Sequence, residues 1–137
     1  MAYKGFGPSL RSLEGVDVER IPSLQEQPVQ SAVMLPKPGA QLTPGVHVAQ
    51  GYAYSGGGRG IVRVDVSSDG GETWKNATLR AGSEQPMDRA WAWTFWDCEI
   101  EVPADAPVDS TIQIICKATD ASYNVQPDTV KGIWNLR

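Results

Sequence analysis

Short runs of alternating apolar and polar residues dominate the chain from residue 29 onward. In the run over residues 61–67, Val62, Val64 and Val66 are predicted to share one face, as the two-residue period of a β-strand requires. Glycine, proline, serine and aspartate separate the runs from one another. The predicted strands cover residues 29–35, 46–54, 61–67, 72–79, 91–102, 111–119 and 132–134.

The number and length of these strands indicate the fold class. Short strands with turns between them, and no convincing amphipathic helix, are typical of an antiparallel β-sandwich of immunoglobulin-like type. A barrel is the runner-up, because strand number alone does not separate the two folds. Asp69-Gly70-Gly71 predicts a tight hairpin that pairs residues 72–79 back against residues 61–67. The last run, over residues 132–134, lies so close to the chain end that we expect the sandwich to be truncated before its final strand.

Residues 1–28 follow a different pattern. Glycines and prolines interrupt every periodic run in this segment. We therefore expect residues 1–28 to form a tail or linker and residues 29–137 to form the immunoglobulin-like domain. A chain of 137 residues is long enough for one domain with its own core.

Composition and charge argue against several classes of partner. The chain is 41% hydrophobic and 20% charged, which is ordinary for a globular protein. Its formal net charge of -4 provides no footprint for nucleic acid or for an anionic membrane surface. No apolar run is long enough to cross a bilayer. We therefore predict neither a nucleic-acid partner nor a membrane partner.

Residues that could carry catalysis or bind a metal are sparse. Alternation predicts that His47 points away from its apolar neighbours, toward solvent or a partner. Cys98 and Cys116 are expected to be reduced thiols on core faces, and they lack the spacing of a zinc site. The glycine loop, residues 55–60, lacks the lysine and the following helix of a phosphate loop, so a flexible or bulged connection is expected. We predict no catalytic residue and no metal site in the chain.

The aromatic run at the start of the predicted strand 91–102 is the strongest candidate for a binding function. Alternation places Trp91, Trp93 and Phe95 on one face. An apolar patch that gives way to charge along one strand is typical of a partner-binding surface. The alternative is that these rings pack beneath a loop of the same domain. The acidic residues that follow on the same face are Asp97, Glu99 and Glu101, and the predicted core face carries Trp96, Cys98, Ile100 and Val102.

Several motifs resemble those of the sulfite oxidase family, in order and over nearly the whole chain. The resemblance is specific because the motifs are long. A nitrate reductase parent shares the domain and stays open as an alternative. The motifs are GYAYSGGGR at residues 51–59, VDVSSDGGETW at 64–74, RAWAW at 89–93, CKATDASYNVQP at 116–127 and IWNLR at 133–137, with YKGF at 3–6 and PVQSA at 28–32 upstream.

The resemblance implies an immunoglobulin-like C-terminal domain that builds a homodimer and contacts its own catalytic domain. The preceding domain would hold a molybdenum–molybdopterin cofactor, at which the parent would oxidise sulfite to sulfate. By the match to the family's motif, Tyr3 would line the substrate pocket, with Lys4 beside it. The family's molybdenum-binding cysteine lies upstream of the YKGF motif, so neither Cys98 nor Cys116 matches it. We therefore expect no cofactor and no activity in this chain alone.

The aromatic run and the dimerisation role that the resemblance implies together suggest that Trp91, Trp93 and Phe95 lie in a dimer or interdomain interface. One competing interpretation is a free-standing immunoglobulin-like domain that binds protein, or carbohydrate through ring stacking. Another is a small independent enzyme, which the missing catalytic constellation disfavours. The family occupies mitochondrial, peroxisomal and periplasmic compartments, and the mitochondrial intermembrane space stays open among these for the parent.

Overall fold

Two antiparallel sheets make up the fold of residues 4–7, 10 and 12–128, which are the residues that the computed structural model describes. A short 3-10 helix, Val18–Arg20, lies in the segment before the first strand. The strands are β1 (Gln30–Leu35), β2 (Gly45–Tyr54), β3 (Ile61–Ser67), β4 (Lys75–Asn76), β5 (Thr78–Leu79), β6 (Thr94–Val102) and β7 (Ile115–Asp120). The predicted strand at residues 132–134 lies outside the described residues.

The strand order confirms the predicted fold class. One sheet has the order β1-β2-β6-β5 and the other has the order β4-β3-β7, and all pairings are antiparallel. In an immunoglobulin domain, strands A, B, E and D share one sheet while C and F pair in the other. Here β1, β2, β6 and β5 take the positions of A, B, E and D, and β3 and β7 take those of C and F. The domain is an immunoglobulin-like sandwich, while the division at residue 28 stays a prediction.

Trp96, near the start of β6, fills the space between the sheets. Its side chain is fully buried and lies against Gly51, its cross-strand neighbour on β2. A Cβ at position 51 would overlap the indole ring and the carbonyl oxygen of Ala32 on β1. Glycine therefore lets the ring approach the backbone of β2. The core face predicted for β6 is confirmed, and the residues clustered around Trp96 are Ala49, Ala53, Ile61, Val64, Val66, Cys98, Ile100 and Ala118.

The start of β3 departs from the predicted alternation. The register between β3 and β7 shifts between Ile61 and Arg63, which is a β-bulge. The extra residue turns Ile61 into the core and leaves Val62 49% exposed. Val64 and Val66 are buried as predicted. The expectation that all three valines share one face was wrong for Val62, because an alternating pattern does not reveal an inserted residue.

The predicted hairpin after β3 is wider than expected. The Asp69 carboxylate accepts hydrogen bonds at 3.0 Å from the backbone N–H groups of Glu72 and Thr73, which makes a loop instead of a two-residue turn. The Ser67 hydroxyl makes the largest contribution to lowering the pKa of Asp69 well below its usual range. Only β4 of the predicted strand 72–79 pairs with β3, because β5 crosses to the other sheet and pairs with β6.

Two predicted strands begin later than expected because hydrogen bonds occupy their first residues. Residues 91–93 precede β6, and the amide side chain of Gln85 binds both backbone groups of Ala92. Residues 111–114 precede β7, and the carbonyl of Gln113 accepts a hydrogen bond from the N–H of Gly70 at 3.2 Å. Backbone groups engaged in this way are not available to a sheet ladder.

The segment before β1 is folded back by Lys4. Its ammonium donates hydrogen bonds to the carbonyl oxygens of Val18 at 2.8 Å and Ile21 at 2.5 Å, at the 3-10 helix. A β-bridge joins Lys4 to Ser23. A lysine that binds the last carbonyls of a helical turn stabilises its end. This segment is therefore ordered by a specific contact although its backbone is mostly irregular.

Replacing Gly51 by alanine should lower the free energy of unfolding by about 1 to 3 kcal/mol, because the added methyl group overpacks the contact between Trp96 and β2. Equilibrium urea unfolding followed by tryptophan fluorescence measures this change. Gly60→Ala is the matched control, since its Cβ would lie 3.8 Å from the nearest atom, in Ala90, and it should cost less than about 0.5 kcal/mol. Equal unfolding midpoints for the two variants would contradict this account of the core.

Candidate functional site

The candidate site lies on the outward face of β2 and β6. The small residues of β2 point toward the core, so Tyr52 and Tyr54 at the alternate positions point outward. Tyr52 is the cross-strand neighbour of Phe95 on β6, and opposed residues share a face. The sequence analysis did not select these tyrosines, although small residues at every second position of β2 were a signal for them. The small residues are Ala49, Gly51 and Ala53.

Trp91, Trp93 and Phe95, the three residues predicted from the sequence, lie beside these tyrosines. The rings of Trp93 and Tyr52 have centroids 3.9 Å apart, with their planes inclined at 59°. The exposed fractions are 64% for Trp91, 50% for Trp93 and 41% for Phe95. Among the described residues, all three side chains therefore keep a large exposed fraction. We call Tyr52, Tyr54, Trp91, Trp93 and Phe95 the aromatic patch.

An open cleft of about 460 Å³ lies between the aromatic patch and the chain that leads into β1. None of its lining side chains carries a formal charge. An uncharged lining of aromatic rings, phenol hydroxyls and amide groups suits a neutral group that can pack against aromatic rings. The residues that line this aromatic cleft are Gln27, Gln30, Tyr52, Tyr54, Trp91 and Trp93.

Residues 85–92, which we call the aromatic loop, are closed by a side-chain clamp. The Gln85 amide donates to the carbonyl oxygen of Ala92 at 2.9 Å and accepts from its N–H at 2.7 Å. Beyond the loop, the Ser83 hydroxyl accepts a hydrogen bond from the N–H of Phe95 at 3.2 Å. These contacts fix both ends of the segment that carries Trp91 and Trp93.

Gly58 supports the middle of the aromatic loop. Its carbonyl oxygen accepts a hydrogen bond from the N–H of Ala90 at 3.0 Å. A Cβ at position 58 would overlap the carbonyl group of Asp88 and lie 3.2 Å from the ring of Trp91. Gly58 also has a φ of +73°, which other residues rarely adopt. The glycine loop therefore serves as a close-packed support for Trp91 and not merely as a connection between strands.

The glycine loop is held in turn by the buried carboxylate of Asp120. Ser55 donates to this carboxylate at 2.7 Å, the Nε of Arg59 at 3.1 Å and the side chain of Asn124 at 2.9 Å. The backbone N–H of Ser122 donates to its other oxygen at 2.9 Å. Burial opposes ionisation, but these hydrogen bonds, led by those from Asn124 and Ser55, lower the pKa of Asp120 to about 2.

Arg59 links this network to the segment before β1. Its Nη1 lies 2.6 Å from Glu26 Oε2, while its Nε faces Asp120. The adjacent N–H of Gly56 donates to the carbonyl oxygen of Gln27 at 2.9 Å. Gln27 lines the aromatic cleft, so one wall of the cleft is attached to the glycine loop through two neighbouring contacts.

The aromatic patch gives way to acidic residues along β6, as the sequence predicted. Asp97 forms a two-point ion pair with Arg80, at 2.6 and 2.7 Å, and this partner holds the pKa of Asp97 below its usual range. Glu99 and Glu101 are exposed further along the same face. Val48 is opposite Glu99 and also exposed. The outward face therefore has an uncharged aromatic end and an acidic end.

His47 points away from its neighbours Val46 and Val48, as predicted, but it is only half-buried and not fully exposed. The two valines are the more exposed residues, at 65% and 50%. His47 shares the inward parity of β2, is half-buried, and donates from Nε2 to the carbonyl oxygen of Thr43 at 2.7 Å. The unexpected feature is that apolar Val46 and Val48 lie on the outward face of β2.

The remaining candidates for chemistry do not assemble into a reactive site. Cys98 and Cys116 are free thiols, and burial raises the pKa of each, which disfavours thiolate chemistry. Cys116 Sγ lies 3.2 Å from the hydroxyl of Ser31. Within residues 4–7, 10 and 12–128, no cluster of three or more His, Cys, Asp or Glu side chains could hold a metal. Tyr3, the predicted substrate contact, lies outside the described residues.

The sequence is similar to one protein family and to several known enzymes. The family described as "Mo-co oxidoreductase dimerisation domain" matches residues 22–137. The chain is 55% identical to sulfite oxidase from Gallus gallus over 98% of its own length, and it spans 28% of that relative. It is 46% identical to an NADH nitrate reductase from Cichorium intybus over 66% of its length, which is 9% of that relative. The chain thus spans about a quarter or less of these two relatives.

A solved structure agrees with the fold. The sulfane dehydrogenase SoxCD from Paracoccus pantotrophus superposes with a TM-score of 0.58 and 32% identity, over 74% of this chain and 24% of that chain. No helix in the described part of the chain is long and apolar enough to cross a membrane.

Replacing Asp120 by asparagine should lower the free energy of unfolding at pH 7 by about 2 kcal/mol, because the folded state holds the carboxylate pKa at about 2 against about 4 when unfolded. The stabilisation is present above the unfolded pKa and is lost as pH falls from about 4 to about 2. The difference between wild type and variant should therefore shrink over that range. Urea unfolding at pH 7, 4 and 2.5 measures it.

Glu26→Gln is the control for that experiment, since Glu26 binds the same arginine but is 54% exposed. An exposed ion pair contributes roughly 0 to 1 kcal/mol, so this variant should unfold close to wild type. A difference between wild type and Asp120→Asn that stays constant from pH 7 to pH 2.5 would show that the carboxylate charge is not the stabilising feature.

Proposed function

Because the chain belongs to the family of Mo-co oxidoreductase dimerisation domains, we propose that it joins two copies of a sulfite oxidase-type enzyme through the aromatic patch. In a twofold-symmetric pair, the same patch of each subunit faces its counterpart. The proposed contact is therefore the outward face of β2 and β6, with Trp91, Trp93 and Phe95 near its centre.

The observation that carries this proposal is the exposure of adjacent aromatic rings on a rigid support. Large rings rarely remain together in water on a monomer, and aromatic residues are enriched in the cores of protein interfaces. The clamp between Gln85 and Ala92 and the support from Gly58 hold these rings in place. A preformed patch loses little conformational entropy when it binds, so its burial contributes efficiently to affinity.

The acidic end of the face favours one arrangement of the pair. Glu99 and Glu101 are exposed, and two such clusters would repel one another if they were brought together. A twofold axis through the aromatic end keeps the two acidic ends apart. The ion pair between Asp97 and Arg80 marks the boundary between the two ends.

The parent enzyme is proposed to oxidise sulfite to sulfate at a molybdenum cofactor. Burial raises the pKa of Cys98 and of Cys116, so neither of these free thiols fits the single cysteine thiolate by which the family binds molybdenum. The cofactor is therefore assigned to the parent's preceding domain, with Tyr3 lining the substrate pocket and residues 1–28 leading from that domain. The extent and identity of the match to sulfite oxidase favour this parent over a nitrate reductase. The isolated chain is proposed to be inactive, acting as an assembly module and not as a free-standing binding domain.

Replacing Trp93 by glutamate should weaken self-association at least tenfold, because it places a charge in the proposed interface and removes the ring packed on Tyr52. Light scattering over a concentration series measures the monomer–dimer equilibrium of the 137-residue chain. Val62→Glu is the matched control, since Val62 is 49% exposed on the other sheet, and it should dimerise like wild type.

Circular dichroism of both variants checks that the fold is retained. A wild-type chain that stays monomeric throughout the series would contradict the proposed assembly role. If Trp93→Glu leaves the dimer intact while Val62→Glu dissociates it, the interface lies on the other sheet.

A further inference from the structure

Met87 belongs to the same aromatic loop as Trp91, which lines the aromatic cleft, but Met87 is not itself a lining residue. It is the third residue of the aromatic loop and is 67% exposed. Its sequence neighbour Asp88 approaches Gly58 closely, as does the ring of Trp91, so the backbone next to Met87 rests on the glycine that supports the cleft wall. One loop thus carries both an exposed apolar side chain, Met87, and a wall of an uncharged, aromatic-lined cleft, Trp91.

The loop around Met87 is fixed before any partner binds. Gln85 is clamped to Ala92, the N–H of Ala90 is bound to Gly58, and the N–H of Arg89 donates to the carbonyl oxygen of Pro86 at 3.1 Å. This last bond closes a turn around Met87. A side chain presented by a closed turn pays a smaller entropy cost on docking than one on a mobile loop.

We propose that Met87 of each copy inserts into the aromatic cleft of its partner, so that the dimer is held by two reciprocal contacts. This inference rests on the proposed dimer through the aromatic patch. In a twofold interface, a contact from one residue to another is repeated in reverse, so a protrusion and a cleft on the same face satisfy each other in both directions. The occupant is a second copy of this chain, because the family match is to a dimerisation domain.

The chemistry of the cleft matches a methionine side chain. Its walls are the rings of Tyr52, Tyr54, Trp91 and Trp93 with two neutral amides, so a charged occupant would lose its hydration without gaining an opposite charge. Thioether sulfur makes favourable contacts with aromatic rings, and the unbranched chain adapts to an irregular cavity. Met87 is neutral, long and exposed, which are the properties the cleft requires.

Light scattering and sedimentation of Met87 variants of the 137-residue chain test the reciprocal insertion. Met87→Asp should weaken dimerisation by about a hundredfold and Met87→Ala by about tenfold, as expected for an apolar anchor in a pocket. Met87→Leu keeps an apolar side chain of similar size and should remain within about threefold of wild type. Because Met87 is exposed in the monomer, all three variants should keep the wild-type unfolding midpoint.

Val108→Asp is the matched control, since Val108 is 93% exposed on the loop between β6 and β7 and should not affect the dimer. If Trp93→Glu dissociates the dimer while Met87→Asp does not, the reciprocal insertion is wrong and the aromatic interface stands. If the wild-type chain is monomeric, both proposals fail. If Val108→Asp weakens the dimer as much as Met87→Asp, the effect is one of added charge and the insertion is overturned.

Discussion

The buried carboxylate of Asp120 is the group on whose hydrogen bonds the arrangement of the aromatic patch depends. It ends β7 in one sheet and accepts a hydrogen bond from Ser55, which directly follows β2 in the other. Arg59 extends the network to the segment before β1. A buried charge is costly unless its hydrogen bonds are satisfied, so the ends of the two sheets and the glycine loop must meet in one geometry. The position of Trp91 follows, because its loop rests on Gly58.

The outward face combines this rigidity with an uneven distribution of charge. An aromatic surface alone would associate with many apolar partners, whereas the acidic residues of β6 penalise arrangements that bring like charges together. The ion pair between Arg80 and Asp97 neutralises the carboxylate nearest the rings. Exposed Glu99 and Glu101 remain as the repulsive element at the far end. In the proposed dimer, attraction would come from the aromatic patch and orientation from the exposed glutamates of β6.

Much of the fold could be predicted from alternation, and the exceptions have local causes. The inward set of β6, from Trp96 to Val102, was predictable because the strand runs without an insertion. The exposure of Val62 was not predictable, because the sequence pattern does not show where a β-bulge inserts an extra residue. The later start of β6 depends on the amide of Gln85, several residues away in sequence. Side chains that bind backbone groups decide such boundaries, and their choice of partner depends on the folded chain.

The candidate site was predictable only in part for a similar reason. The three aromatic residues at positions 91, 93 and 95 could be selected because their spacing of two residues places them on one face of a predicted strand. The cleft could not, because it combines the tyrosines of β2 with Gln27 and Gln30, and this requires the cross-strand register and the path of the preceding segment. The family resemblance supplied the assembly role but did not indicate these lining residues.

The shortness of β4 and β5 has a consequence for colloidal behaviour. Each is a two-residue strand at the edge of its sheet. Edge strands this short offer few unpaired backbone groups to another chain. Long, flat borders recruit further strands and promote fibre growth. By changing sheets between Asn76 and Thr78, the chain divides what would be one long border into two short ones. A protein that exposes aromatic rings on one face thereby limits open-ended polymerisation at these two sheet edges.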